Sequence, residues 1–245
     1  MPLAKARKAI QDARTIAVLT GAGISRASGL ATFRNPKSKD AQGDHEVLWQ
    51  HYRPEDLATP YAYAKDPLLV WQWYAMRFEK AMAAEPNEAH LRLAGLEKNH
   101  KLTLVTQNVD GLHLRAGSQR VLELHGNLCD ARCESCESLF PLARGFKPPP
   151  FCPHCGQRSR PNVVWFGESL PYETFAQAVK AFEKADVSLI IGTSSVVEPA
   201  ASLARLSLSR GAYVIEINPE VTPLSNLAQL SLRQDAISAL AMLLA

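Results

Sequence analysis

Thr15-Ile16-Ala17-Val18-Leu19-Thr20-Gly21-Ala22-Gly23-Ile24-Ser25 is the stretch from which the rest of the chain can be read. Ile16 to Leu19 are apolar without a break, as a short strand covered on both faces requires. The run stops at Gly21-Ala22-Gly23, where two residues lacking Cβ let the backbone turn tightly and bring its N–H groups close to an anion. A buried strand ending in glycines is how a nucleotide site opens on an α/β sheet, whose ligands lie beyond the carboxyl ends of the strands. A plain tight turn after a core strand is the competing reading. Arg26 stands where a GxGxxG fingerprint has its third glycine, and Gly29 comes late.

Four more apolar runs end in the same manner. Residues 102–106 lead into Gln107-Asn108-Val109-Asp110, and 121–124 into His125-Gly126. Residues 187–191 lead into Gly192-Thr193-Ser194, and 213–217 into Asn218-Pro219-Glu220. Each is strand-like in length and β-branched content. Parallel strands would gather all five ends along one edge, where amides, hydroxyls, an acid and an imidazole converge. Between them, residues 2–13, 88–99, 171–185, 199–209 and 233–244 repeat apolar positions at three- and four-residue spacing, which predicts helices. The expected fold is therefore α/β around a parallel sheet. Two segments interrupt the alternation, 35–85 and 127–161, and both read as insertions that together build a smaller lobe. The expected division is a sheet domain of residues 1–34, 86–126 and 162–245, a loop and helical module of 35–85, and a cysteine-bearing module of 127–161.

With 245 residues, 47% hydrophobic, the chain can bury a sizeable core. A net charge of +3 is too mild to mark a nucleic-acid or membrane binder. The first ten residues lack the apolar core of a signal peptide, and no run approaches the roughly 18 apolar residues of a membrane span. Four of five cysteines fall into C-x-x-C pairs, which favours a reducing compartment; the expectation is a cytoplasmic protein.

Those pairs, Cys133-Glu134-Ser135-Cys136 and Cys152-Pro153-His154-Cys155, offer four thiolates in the tetrahedral set that zinc prefers. A filled four-sulfur shell leaves no position for substrate, so the zinc is read as structural. A redox pair is the competitor, and Cys129 is left over. His125, where an apolar strand meets a glycine, is a candidate general base, against the commoner role of a hydrogen-bonded strand-end residue. Asn108 and Asp110 offer an amide and a carboxylate at the neighbouring strand end.

These residues resemble one family. Gly21-Ala22-Gly23-Ile24-Ser25, Gly29 with Thr32-Phe33-Arg34, Thr106-Gln107-Asn108-Val109-Asp110-Gly111-Leu112-His113 and His125-Gly126 match the sirtuins in order. So do both C-x-x-C pairs, Arg160-Pro161 through Phe166-Gly167-Glu168, Gly192-Thr193-Ser194 and Ile217-Asn218. The resemblance implies an NAD-dependent protein-lysine deacylase with a Rossmann-type sheet domain and a lobe of helical and zinc modules. It implies that Gly21, Ala22, Gly23, Ser25, Thr32, Phe33 and Arg34 serve the NAD diphosphate and its loop. Gln107, Asn108, Val109 and Asp110 would serve the nicotinamide half, and Gly192, Thr193, Ser194, Asn218 and Ala236 the adenosine half. His125 would be the proton acceptor, with Asn108 beside it, and Val164, Phe166, Gly167 and Glu168 would line the acyl-lysine peptide, which pairs like an added strand. The implied products are nicotinamide, O-acyl-ADP-ribose and free lysine, and the implied partners are acyl-lysine proteins, with no nucleic acid and no membrane, acting as a monomer. Zinc would take no chemical part.

The acyl group is narrowed by a second match. Asp66-Pro67 is a helix start, and Tyr74 and Arg77, three apart, share a face of the helix that follows. With Ala58 they resemble the desuccinylase and demalonylase subgroup, where the Tyr–Arg pair binds the terminal carboxylate of the acyl chain and a small residue leaves room. Guanidinium clamps carboxylate in bidentate fashion, although an arginine on an amphipathic helix ordinarily just faces solvent. Arg26 and Ala31 depart from the common family pattern near the presumed phosphates. Two other functions remain open from sequence: NAD-dependent ADP-ribosyl transfer to protein, and a zinc ribbon for nucleic acid on an inert scaffold, the latter disfavoured by few basic residues around the cysteines.

Overall fold

A computed structural model describes residues 2–30, 52 and 54–245. Helix α1 (Pro2–Asp12) leads into strand β1 (Thr15–Thr20), and a 3₁₀ helix over Ala22–Ser28 follows the glycine turn. Three helices come next: α2 (Pro54–Leu57), α3 (Pro60–Lys65) and α4 (Pro67–Ala83). Then come α5 (Glu88–Leu96), β2 (Lys101–Thr106), α6 (Leu112–Arg115) and β3 (Val121–Glu123). The cysteine segment folds as β4 (Gly126–Cys133), β5 (Leu139–Pro141) and β6 (Ser159–Val163). The chain finishes with α7 (Tyr172–Glu183), β7 (Val187–Ile191), α8 (Ser202–Ser209), β8 (Tyr213–Ile217), β9 (Leu230–Leu232) and α9 (Ala236–Leu243).

Six strands form one parallel sheet in the order β3-β2-β1-β7-β8-β9. The chain builds outward from β1 in one direction, returns to the middle, and builds outward again from β7. Strand order therefore reverses between β1 and β7, and the crevice at that reversal is where an open α/β sheet binds its ligand. Alternation along the strands explains the layers. Ile16 and Val18 face a cluster with Ile10 of α1, Leu93 of α5 and Leu240 of α9, whereas Ala17 and Leu19 face Phe182 of α7 and Leu203 of α8. Both faces are covered, which is why the strands read as continuous apolar runs rather than alternating ones.

All five expected strands are present within a residue or so of their predicted ends. The sixth, β9, was not expected: three half-buried residues with no β-branched run give no strand signal. The expected helices exist but are shorter at their ends. Asp235 accepts a hydrogen bond from the Ser238 N–H at 3.0 Å, so α9 starts at Ala236 rather than at Arg233.

The two insertions meet. β5-β4-β6 is a separate antiparallel sheet, and α4 packs on it through Val70, Trp71, Trp73 and Tyr74. Ser159 is the joint: its carbonyl accepts from the Trp71 indole N–H at 2.8 Å and the Tyr63 hydroxyl at 2.7 Å. Phe146 packs edge-on against Trp71 and Phe78, with centroids 5.8 and 5.6 Å away. Helix α4 begins as its sequence predicts, with Asp66 accepting from the Leu69 N–H at 2.9 Å and Pro67 in the first turn. Among the described residues, no helix is long and apolar enough to cross a membrane.

Candidate functional site

At the reversal point two glycine turns press together. Gly23 N–H donates to the Gly192 carbonyl at 2.9 Å, and Gly21 N–H to the Ile191 carbonyl at 3.0 Å. A Cβ on Gly23 would lie 2.7 Å from Gly192 Cα, and one on Gly21 2.8 Å from the Gly192 oxygen. Gly192 itself has φ +61°, and a Cβ there would lie 2.6 Å from the Ile24 nitrogen. No side chain fits at any of the three positions, so it is the close approach of the two turns that requires glycine there. The turn is the floor of a cleft of about 1100 Å³ between the parallel sheet and the smaller lobe.

Most of the residues singled out from sequence line this cleft: Gly21, Ala22, Gly23, Gln107, Asn108, Val109, His125, Gly192, Thr193, Ser194, Asn218 and Ala236 from the sheet side. Ala58, Tyr74, Arg77, Val164, Phe166, Gly167 and Glu168 line it from the other. Ser25 and Asp110 do not. They are buried behind the floor, where the Ser25 hydroxyl donates to Asp110 Oδ2 at 2.7 Å and the Leu112 N–H donates to Oδ1 at 3.0 Å. Asn108 ties them to the cleft, donating from Nδ2 to the Gly21 carbonyl at 3.2 Å and to Ser25 Oγ at 3.1 Å. Thr32, Phe33 and Arg34 lie outside the described residues.

His125 is half-buried in the turn between β3 and β4. Its Nδ1 lies 3.0 Å from the Gln107 carbonyl oxygen, which can only accept, so Nδ1 carries the proton and Nε2 keeps its lone pair. Burial lowers the imidazole pKa, with the Gln107 contact opposing it, so the ring is neutral at pH 7. A neutral imidazole with a free lone pair on a cleft wall can take a proton. The neighbouring strand ends are braced: Gln107 Nε2 donates to Thr193 Oγ1 at 2.9 Å, and Asn218 Nδ2 donates to the Thr193 carbonyl at 2.7 Å. Asn218 Oδ1 also accepts from the Glu220 N–H at 3.0 Å.

Two further histidines are fully buried behind the floor, His90 and His113, with ring centroids 4.8 Å apart. Burial drives their pKa values down to about 4 and about 3. His90 Nδ1 accepts from the Asn87 N–H at 3.3 Å, so its Nε2 carries the proton and faces Ser25 Oγ at 3.5 Å.

On the smaller-lobe side, Ala58 holds the opposite wall in place: its carbonyl accepts the Phe166 N–H at 2.9 Å. Tyr74 and Arg77 stand together as their spacing predicts, the Arg77 guanidinium carbon 4.6 Å from the Trp73 ring centroid and 5.8 Å from that of Tyr74. Burial lowers the Arg77 pKa from its ordinary value and pushes Tyr74 up to about 12. Glu168 is occupied by protein: Arg160 donates from Nη1 at 2.6 Å and Nη2 at 2.9 Å, and the Trp165 N–H donates at 2.8 Å. Its carboxylate thus shapes the wall and does not reach out from it.

The cleft also has walls with no sequence signal. Glu55 enters from the four-residue helix α2, and Val197, Glu198 and Pro199 follow the Gly192 loop at a point where nothing in their order marks a ligand edge. Arg26, in the place of the missing third glycine, lines the cleft as well and supplies a cation near its floor.

The four cysteines of the C-x-x-C pairs converge. Their sulfur atoms all lie within 4.8 Å of one another, with Cys133–Cys155 at 3.4 Å and Cys136–Cys152 at 3.7 Å. An S₄ tetrahedron with bonds of about 2.3 Å has edges of about 3.8 Å, so the set fits one zinc ion. The backbone N–H groups of Ser135 and Cys136 both point at Cys133 Sγ, at 3.4 Å, as suits a thiolate held by metal. Cys129 is no part of the set.

Residues 21–199 match the model of the Sir2 family. A Thermus thermophilus protein named NAD-dependent protein deacylase is 55% identical over 99% of this chain and 94% of its own length. A Deinococcus radiodurans protein of the same name is 53% identical over 100% of this chain and 99% of its own. Among solved structures, a crystal structure of a Sir2 homolog–NAD complex superposes with a TM-score of 0.90 at 47% identity, covering 98% of this chain and 91% of the other.

Proposed function

The chain belongs to the Sir2 family, and from that premise we propose that it is an NAD-dependent protein-lysine deacylase that removes succinyl and malonyl groups, and acetyl groups besides. The observation that carries the acyl preference is the presence of Tyr74 and Arg77 in the same cleft as His125 and the glycine turns. NAD supplies an electrophilic ribose carbon with nicotinamide as its leaving group. The rest of the work falls to the chain. Gly21, Gly23 and Gly192 let two turns pack together as a floor that a dinucleotide diphosphate approaches, and Arg26 offers it a charge. Gln107, Asn108 and Val109 serve the nicotinamide half from the cleft wall, with Asp110 behind them through Ser25 and Asn108, and Thr193, Ser194, Asn218 and Ala236 serve the adenosine half. His125 removes a proton at Nε2 while the Gln107 carbonyl holds its ring. The segment Val164 to Gly167 offers backbone for an acyl-lysine peptide to pair with. Zinc braces the lobe and stays out of the reaction, because four sulfurs close its shell.

Incubation of the protein with NAD and a panel of acyl-lysine peptides tests the reading. Nicotinamide is expected only when an acylated peptide is present, in step with free lysine. ADP-ribose appearing on a protein side chain by mass spectrometry, without deacylated peptide, would replace deacylation by ADP-ribosyl transfer. For the acyl preference, Arg77→Met is expected to lower kcat/KM for succinyl-lysine by about 100-fold, the loss of a charge-assisted bidentate pair, and for acetyl-lysine by far less. Equal losses for both peptides would remove the carboxylate clamp from the account.

A further inference from the structure

The hydrogen bonds around Tyr74 have a direction. The Trp165 indole N–H donates to the Tyr74 hydroxyl oxygen at 3.0 Å. Indole nitrogen donates and never accepts, so the phenol is the acceptor in this pair and its own proton turns another way. The Arg77 guanidinium, 5.8 Å from the Tyr74 ring centroid, has no acceptor to offer either. Tyr74, Arg77 and Trp165 all line the cleft. Burial keeps the phenol protonated at neutral pH, its pKa pushed up to about 12.

We propose that Trp165 is a specificity-determining positioning residue: its indole N–H turns the Tyr74 hydroxyl proton into the cleft, where it meets the terminal carboxylate of a dicarboxylic acyl-lysine beside Arg77. This rests on the acyl preference proposed above. Trp165 is well held for such a task. It is 3% exposed, and the Arg160 guanidinium carbon lies 3.6 Å from its ring centroid. Arg160 is fixed in turn by its two bonds to Glu168, whose carboxylate also accepts the Trp165 backbone N–H. The Tyr63 ring packs at 5.1 Å. Ring plane, backbone and indole direction are therefore set before any substrate arrives. An acetyl group ends in a methyl and has no use for the Tyr74 proton, so the Trp165–Tyr74 bond matters only to acids.

Trp165→Phe keeps an aromatic ring and deletes the N–H. The readouts are kcat/KM and calorimetric Kd for succinyl-lysine and acetyl-lysine versions of one peptide. The succinyl-to-acetyl ratio is expected to fall about tenfold in both measurements, the size of one hydrogen bond to a charged group. In a Tyr74→Phe background the same change is expected to leave the ratio where Tyr74→Phe alone had put it. A lesion of packing alone would weaken both peptides together. An unaltered ratio in Trp165→Phe, or a further full drop in the Tyr74→Phe background, overturns the inference. If Arg77→Met abolishes the preference while Trp165→Phe spares it, only the role of Trp165 is lost. If the parent protein shows no preference for the acid, the acyl reading has failed and this inference falls with it.

Discussion

Replacing His125 with alanine is expected to lower kcat for deacylation by about 10²–10⁴-fold, the range that a positioned general base contributes. The argument is geometric before it is electrostatic. Nδ1 donates to the Gln107 carbonyl at 3.0 Å, which settles the tautomer and leaves Nε2 as the basic atom. The partner is backbone at the end of β2, so the ring is oriented by the sheet itself and not by another mobile side chain. Burial lowers the imidazole pKa, and the neutral ring is the active form. The acid limb of kcat/KM is therefore expected below the ordinary histidine value of about 6.5, activity rising with pH through that limb and levelling by neutrality. Affinity for NAD and for acyl peptide, measured by calorimetry, is expected to survive the substitution. A variant that turns over acyl peptide near the parent rate would strip His125 of its role, and an acid limb above pH 7 would contradict the buried neutral ring.

His90 and His113 show why three nearby histidines carry different expectations. Both are fully buried and far below the usual pKa, yet neither lines the cleft, and the hydroxyls they face, those of Ser25 and Thr20, are buried as well. In sequence, His113 lies within a motif and looks as prominent as His125. Only the position of His125 at the end of an apolar run, followed by Gly126, gave it a place on the ligand edge. The local rule that parallel strands deliver their carboxyl ends to one side predicts its place on the cleft wall.

That rule also accounts for what was legible elsewhere. The five runs that became β1, β2, β3, β7 and β8 are apolar because helices cover both faces, and such runs announce themselves. β9 is an edge strand of three residues held by its register with β8 through Ile215 to Ile217, a tertiary cause with no local signature. Ser25 and Asp110 belong to the same logic. Their types suggest ligand contact; the structure places them 2.7 Å apart under the floor, one layer behind Asn108, and spacing along the chain cannot say which side of a loop a side chain takes. The direction of the Trp165–Tyr74 bond spans 91 residues and had no signal of any kind.

Removal of zinc is expected to abolish deacylation although no catalytic role falls to the ion. Cys133 and Cys152 are 1% and 2% exposed and sit in the same apolar cluster as Trp71, Trp73 and Tyr74, while Cys136 and Cys155 are exposed on the outside of the site. The metal therefore closes a sheet whose inner face is the bed of α4. Structural zinc contributes about 10–16 kcal/mol in finger peptides, more than a small three-stranded sheet can supply by itself. Without it, or in Cys152→Ser, β4–β6 should loosen, α4 should lose its support, and Tyr74 and Arg77 should leave the cleft wall. Fluorescence can report this selectively. Of the chain's four tryptophans, the three among the described residues, Trp71, Trp73 and Trp165, all lie in that cluster, and none of those three reports from the core of the parallel sheet. A strong chelator is expected to shift the tryptophan emission to the red and to lower deacylation at least about 100-fold, while far-UV dichroism keeps most of its amplitude. Metal analysis should find one zinc per chain beforehand, and Zn²⁺, but not Mg²⁺, should restore activity to the chelated protein. A zinc-free preparation with the parent emission spectrum and the parent rate would show that the smaller lobe stands without its metal, and that the four cysteines do not support the acyl pocket.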